Sequence, residues 1–218
     1  MTISFSYSLL DAEDSCPEKA RRLFVTRDYK RAWTAAKDGG IDVHAALEAR
    51  LKGKTPLPPQ AQSYEPLVAS IERRGSVETE LPLAVDHQMR PTGFWEGSPF
   101  LRGKYDAVVR RPPLALIVDW KTGRSDFEKE LQLEIGALLL FANDPAIETI
   151  AGMNVYLKTG KAGRIYEFQR AEISPRWAKL IHRMRKIEER DSAQKWEKRP
   201  GPLCGWCPVK DCEHYRGG

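Results

Sequence analysis

Two aspartates and a lysine set into neighbouring apolar strands are the residues of this chain whose types and spacing could do chemistry. The stretch from Leu101 to Gly123, LRGKYDAVVRRPPLALIVDWKTG, reads as two β-strands joined by a turn, with Asp106 in the first and Asp119 and Lys121 closing the second. In Leu114–Lys121 one parity carries Ala115, Ile117, Asp119 and Lys121 and the other Leu114, Leu116, Val118 and Trp120. Both faces are therefore apolar until the strand ends, as in a central strand. The period of two sends Asp119 and Lys121 out on one side. An ionised carboxylate within such a strand is costly unless something pairs with it. Carboxylates bind Mg²⁺ or Mn²⁺, the metal polarises a phosphate and acidifies a water, and a lysine orients or activates that water. That is the chemistry of phosphodiester hydrolysis. The plainer alternative is an Asp119–Lys121 salt bridge with Asp106 held by backbone groups.

Other residues could join them. Gly40–Ile41–Asp42–Val43–His44 puts a histidine one turn into a helix, with Glu48 a turn further on the same face. Gln132 opens the apolar helical run QLEIGALLLF. The sequence Gly53–Lys54–Thr55 is not a phosphate-binding loop, because the glycine required five positions earlier is Glu48.

The four cysteines form a second constellation. CGWC at 204–207 followed by PVKDC is C-x2-C-x4-C, with Cys16 far upstream. Clustered cysteines in a reducing compartment point to metal: zinc held by four cysteines, or by three with His214, or a 4Fe–4S cluster.

These groups need positioning elements. Ser6–Ser15 reads as an extended lead-in with Asp14–Ser15 as an N-cap pair. A helix is expected from Pro17 through Phe24, a basic helical stretch over Arg27–Lys37, a break at Gly39–Gly40 and a short amphipathic helix over Ile41–Leu51. Lys54–Gln60 is a loop, Tyr64–Arg74 a helix stopped by Gly75, and Val77–Val85 a strand carrying Glu78 and Glu80 on one face. Phe127–Phe141 is helical, Thr149–Lys158 and Arg164–Gln169 form a hairpin, and a long helix starts at Ser174–Pro175. On that helix Trp177, Ile181, Met184 and Ile187 make an apolar stripe, and Lys179, Arg183, Lys186 and Arg190 a basic one. Helices, three strands, a helix, two strands and a helix imply an α/β fold, a mixed central sheet flanked by helices.

At 218 residues, 41% apolar and 30% charged, the chain has ample length for a single globular domain. No apolar run approaches membrane-spanning length, and the N-terminus lacks a basic leader, so the expected location is the cytoplasm. The net charge of +5 leans toward a polyanionic partner, with nine Lys/Arg against four Asp/Glu between Arg176 and Arg199. In isolation the basic stripe reads as a solvated helix face; beside a hydrolytic site it becomes a phosphate track, and Trp95, Trp196 and Trp206 could stack on bases or simply pack.

Taken together, GIDVH at 40–44, GKYDAVV at 103–109, IVDWKTG at 117–123 and QLEIG at 132–136, framed by one early and three late cysteines, resemble the PD-(D/E)XK nuclease superfamily. The likeness is to its RecB-like branch, which includes the CRISPR-associated iron–sulfur exonucleases. The resemblance implies a restriction-endonuclease-like core over residues 1–218, with a helical N-terminal region (residues 1–75) and a cysteine-rich tail (residues 198–218) joined at the cluster. It implies His44, Asp106, Asp119 and the Trp120 carbonyl as ligands of Mg or Mn, and Lys121 as the catalytic lysine. Gln132 would position substrate or lysine, and Glu80 would be a lesser contributor. It also implies Cys16, Cys204, Cys207 and Cys212 as ligands of a 4Fe–4S cluster, with zinc as the alternative. A crosslink closing a loop of ~190 residues would stabilise the chain by up to roughly 5 kcal/mol, a structural staple between the N-terminal helices and the basic helix.

The implied activity is a metal-dependent deoxyribonuclease, an exonuclease before an endonuclease, acting on single-stranded DNA or DNA ends. The alternative is a nucleic-acid-binding adaptor of the same fold without turnover. Partner proteins of recombination, phage replication or CRISPR adaptation fit such a nuclease equally. One departure stands out: the family commonly has tyrosine four residues after the glutamine, and here that residue is Gly136.

Overall fold

The computed structural model describes residues 3–29, 37–38, 41–53, 55–121 and 130–217. In chain order these form α1 (Tyr7–Ser15), α2 (Pro17–Ala20), a π-helical turn (Arg21–Val25), β1 (Lys37–Asp38), β2 (Ile41–Asp42), α3 (Val43–Leu51), a 3-10 turn (Pro59–Tyr64) and α4 (Glu65–Glu72). There follow β3 (Ser76–Val85), β4 (Leu101–Arg111), β5 (Leu114–Lys121), α5 (Glu130–Asn143), β6 (Thr149–Tyr156), β7 (Lys161–Gln169) and α6 (Ile173–Ser192), then a 3-10 turn (Pro202–Trp206). Contacts divide the chain into two compact units, Ala35–Trp177 and Met1–Thr34 with Ala178–Gly218.

The first unit holds a five-stranded mixed sheet in the order β3-β4-β5-β6-β7. Only β5 and β6 run parallel, from Leu114↔Thr149 to Lys121↔Tyr156; the other neighbours are antiparallel. A parallel pair needs a crossover, and α5 supplies it. One face of the sheet (Ala107, Val109, Val118, Trp120, Val155) packs against Val43, Leu47 and Leu51 of α3 and Val68 and Ile71 of α4. Ile117, of the opposite parity, meets α5 at Gly136. The mixed sheet flanked by helices expected from the sequence is therefore present. Asp42 caps α3 by accepting from the Ala45 N–H at 3.1 Å, where it satisfies an otherwise orphaned donor. Arg50 then ties α3 to α4 through Glu65 (3.0 and 3.1 Å) and Glu72 (2.8 Å). The helix that carries His44 is thus fixed at both ends.

In the other unit, residues 7–15 are helical, not extended. Ser6 is the N-cap, its hydroxyl accepting from the Leu9 N–H at 3.3 Å, and Leu9, Leu10 and Ala12 are buried. The apolar positions of that stretch follow a helical period that the acidic residues between them obscure. Of the expected basic helix over Arg27–Lys37, residues 30–36 lie outside the described ones, as do Gly39, Gly40, Lys54 and Phe127–Lys129. Arg27 has φ 57°, and Lys37 belongs to β1.

The buried stripe of α6 runs through Trp177, Leu180, Met184 and Ile187 rather than Ile181. Two of the four residues of its basic stripe are tied down, while Lys179 and Lys186 are exposed. Arg190 pairs with Glu13 at 2.7 Å, and Arg183 donates to Asp14 and to the Leu10 carbonyl, each at 2.7 Å. Glu13 is buried, and a buried carboxylate needs such partners. Among the described residues no helix is long and apolar enough to cross a membrane.

Candidate active site

Strand β5 delivers Asp119 and Lys121 to one end of the sheet. Asp119 is 6% exposed, and both of its oxygens are engaged: Gln132 Nε2 donates to Oδ1 at 2.5 Å, and Lys121 Nζ lies 2.5 Å from Oδ2. Lys121 Nζ also donates to Gln132 Oε1 at 2.6 Å. The first turn of α5 therefore closes a three-membered ring of Asp119, Lys121 and Gln132. The simple salt bridge weighed from the sequence is real, but a third polar side chain fixes its geometry.

Asp106 comes from β4. The β4–β5 ladder pairs Arg111↔Leu114 through Ala107↔Val118, and at the next step the Trp120 N–H donates to Asp106 Oδ2 at 2.7 Å. A carboxylate stands where a ladder carbonyl would otherwise accept. Opposite, in the step skipped between Thr79↔Ala107 and Leu81↔Tyr105, Glu80 holds φ at 52°. Left-handed backbone at a non-glycine strand residue is strained, and such strain collects at functional sites. Glu80 pairs with Lys104.

His44 Nδ1, on α3, lies 3.9 Å from Asp106 Oδ1. Burial is the main cause that lowers the His44 pKa, which leaves a neutral imidazole able to act as a ligand at neutral pH. Asp106 is pushed up to about 8, first by burial and then by the Asp119 charge. Burial also raises Asp119, against the opposing pull of Lys121. Two buried carboxyls, the charge of Asp119 disfavouring that of Asp106, are what a divalent cation would relieve. Among the described residues, no group of three or more His, Cys, Asp or Glu is drawn together closely enough to hold a metal as it stands. Lys121 and Gln132 take the oxygens that Asp119 would offer. The donor set is otherwise suited to a hard cation, being carboxylate oxygens with one imidazole. Glu48 stands apart, paired with Lys52.

The position of Gly136 is explained by Tyr105. A Cβ at residue 136 would lie 2.7 Å from Tyr105 Cε1, and a Cβ at Gly103 would collide with the Tyr105 hydroxyl. The ring is buried between two glycines, and the negative charge of Asp119 adds to burial in raising its pKa. An aromatic from β4 thus fills the space that a residue-136 side chain would take.

These residues and the mixed sheet fall within a family model that spans residues 4–212. The chain belongs to the PD-(D/E)XK nuclease superfamily. Among solved structures, a Eubacterium rectale protein described as a candidate exonuclease matches with a TM-score of 0.54 at 13% identity, covering 97% of this chain and 86% of that one. SSO0001 gives a looser likeness, with TM-score 0.47, 15% identity and coverage of 99% and 89%. At such identities the likeness is one of fold. No curated protein sequence matches this PD-(D/E)XK chain.

One residue beside the site carries no mark in the motifs. Asn154 on β6 stands in register with Asp119, is 1% exposed, and its Oδ1 has no hydrogen-bond partner among the described residues. A lone asparagine in the otherwise apolar strand TIAGMNVY is the signal that sequence offers for it.

The cysteines lie in the other unit. None is in a disulfide, and all four line one cavity of about 320 Å³ together with Lys19, Lys198 and His214, but among the described residues the expected cluster ligands are not drawn together closely enough to hold a metal as they stand. The Arg199 N–H approaches Cys16 Sγ at 3.4 Å, and the Gly201 N–H approaches Cys204 Sγ at 3.3 Å.

Proposed function

We propose that this PD-(D/E)XK protein is a metal-dependent deoxyribonuclease that hydrolyses phosphodiester bonds and works as an exonuclease. The observation that carries the reading is the ring of Asp119, Lys121 and Gln132 at the end of a central strand, with Asp106 and His44 beside it. Asp106, Asp119 and His44, with the Trp120 carbonyl, would hold Mg²⁺ or Mn²⁺. When bound, the cation supplies charge stabilisation at the phosphate and acidifies a water. Lys121 orients the attacking water and offsets charge at the phosphate, and Gln132 fixes the Lys121 ammonium. The buried floor under Asp119 keeps bulk water from screening these charges.

The reading extends to the cysteines. Cys16, Cys204, Cys207 and Cys212 would hold a 4Fe–4S cluster, joining the two ends of the chain as a structural staple. What supports this reading is that all four cysteines line one cavity and that backbone N–H groups approach two of the Sγ atoms, as suits thiolate ligands. A reducing cytoplasm would keep these cysteines available as ligands.

Labelled single- and double-stranded DNA incubated with Mn²⁺ and either wild type or Asp119→Ala tests the enzyme reading. Degradation by wild type alone is expected. Equal degradation by both proteins defeats it, and tight binding without cutting by wild type shifts the reading to an adaptor.

A further inference from the structure

The β3–β4 hairpin carries an aromatic group that neither the fold nor the catalytic ring uses. Trp95 is 81% exposed, the most exposed of the large apolar side chains among the described residues. A solitary exposed apolar residue needs no explanation, but this one is built into place. Its ring meets Phe94 edge-on, with centroids 4.8 Å apart at 78°. The Arg102 guanidinium lies 5.2 Å from the Phe94 centroid and 5.3 Å from that of Trp95, and Arg102 Nη1 donates to the Phe94 carbonyl at 2.9 Å. The base of the loop is equally fixed. Asp86 accepts from the N–H groups of Gln88 (2.8 Å) and Arg90 (3.0 Å), Thr92 N–H donates to the Ala84 carbonyl, and Phe100 is buried. The loop that carries the indole is thus fixed by ordered neighbours, with Phe94 and Arg102 against the ring.

Topology puts this group at the working end of the sheet. The β4–β5 ladder ends at Ala107↔Val118, and from Asp106 β4 runs on past it through Lys104, Gly103 and Arg102 to Leu101, toward the end of the sheet where β5 delivers Lys121. Arg102, against the Trp95 ring, stands four residues from Asp106 on β4, about 13 Å at ~3.3 Å per residue, a span of about four nucleotides at the ~3.4 Å rise of a stacked strand. An unpaired base offers its faces to an exposed indole, whereas in a duplex only the terminal pair does.

We propose that Trp95, held by Arg102 and Phe94, is a stacking platform for an unpaired base of the DNA strand whose phosphodiester lies at Asp119 and Lys121. This inference rests on the nuclease reading and makes its substrate a single strand or an unpaired end.

The test is anisotropy titration of a labelled oligo-dT strand and of a duplex of equal length in EDTA, where nothing is cut, using wild type, Trp95→Ala, Trp95→Phe and Trp206→Ala. Trp206 is 75% exposed but belongs to the other unit. Trp95→Ala should weaken single-strand binding by about 5- to 100-fold, the range that loss of one stacked base gives. Trp95→Phe should keep most of the affinity, and Trp206→Ala and duplex binding should not change. Unaltered single-strand affinity in Trp95→Ala, an equal loss on the duplex, or no binding by wild type would each overturn the platform. With Mn²⁺ present, Trp95→Ala should raise KM on single strands and spare kcat. If wild type binds as described but cuts nothing, the platform stands and the nuclease reading falls; if it cuts with a KM indifferent to Trp95, the reverse holds.

Discussion

The Tyr105 ring occupies the space over Gly136: a Cβ there would sit 2.7 Å from Tyr105 Cε1. Helix α5 approaches the sheet this closely only because residue 136 has no side chain, and α5 is also what brings Gln132 to Asp119. Gly136→Ala should therefore destabilise the protein by about 1–3 kcal/mol despite its better helix propensity, since a methyl forced against a buried ring must displace it. Combining it with Tyr105→Leu should recover some of that loss, a coupling that a double-mutant cycle in urea would measure. Additive losses would show that the two residues do not share one space.

Tyr105 also marks where the sequence stopped being legible. Strand parity alone places Tyr105 on the side of Ala107 and Val109, facing α3. The structure turns it to α5, because the ladder is interrupted at Asp106, where a carboxylate accepts the Trp120 N–H and Glu80 adopts φ 52°. Alternation carries over only through unbroken ladders. The sheet, its flanking helices and the shared side of Asp119 and Lys121 were readable, since period and end-of-strand charge are local properties, whereas His44 and Gln132 were placed beside them only by resemblance to a family. The salt bridges of Arg183 and Arg190 to α1 were not, because pairs 169 to 177 residues apart leave no local pattern.

Gln132 should prove a positioning residue. Its amide donates to Asp119 and accepts from Lys121, so Gln132→Leu removes both bonds at little change in volume. A fall in kcat of roughly 10- to 100-fold is expected, as for other residues that orient a ligand or a catalytic group, with KM for DNA nearly unchanged. A loss confined to KM would instead make Gln132 a strand-binding residue.

Metal-free stability should fall as pH rises above neutrality. The Asp106 carboxyl, ordinarily near 3.8, is pushed up to about 8 in the folded chain by burial and by Asp119. The folded state therefore holds its proton more tightly than the unfolded state, so this contribution is complete at low pH and is lost as pH rises through about 8. His44, lowered by burial, acts oppositely and only below its ordinary 6.5, outside that window. Melting curves in EDTA from about pH 6.5 to about pH 9 should show a declining Tm that Mn²⁺ restores, because a bound cation takes the place of the proton. A flat profile, or one that Mn²⁺ leaves unchanged, would remove the carboxyls as cation ligands.

Arg190→Ala should be costly although the residue lies on a basic surface helix. It leaves the buried Glu13 carboxylate with Arg183, at 3.4 Å, as its remaining ion-pair partner among the described residues. A loss of about 1–3 kcal/mol is expected, largely offset by Glu13→Gln in the double variant, since an uncharged amide tolerates the missing partner. Lys186→Ala, on the exposed side of the same helix, should change stability by less than about 0.5 kcal/mol. Denaturant midpoints separate the three.

The cysteines give a test that does not depend on catalysis. Cys16 stands ahead of α2, the other three follow α6, and all four open onto one cavity. If they share one cluster, Cys16→Ala should lower bound iron and acid-labile sulfide as completely as Cys207→Ala, though the two lie at opposite ends of the sequence. Each should also lose several kcal/mol, because the crosslink that restrains the unfolded chain is gone. Anaerobically purified protein should carry about four irons and four sulfides per chain, and His214→Ala should keep them. Zinc at about one per chain without sulfide would replace the cluster with a single-ion site, and a Cys16 variant that kept full metal would exclude the N-terminal thiol from either.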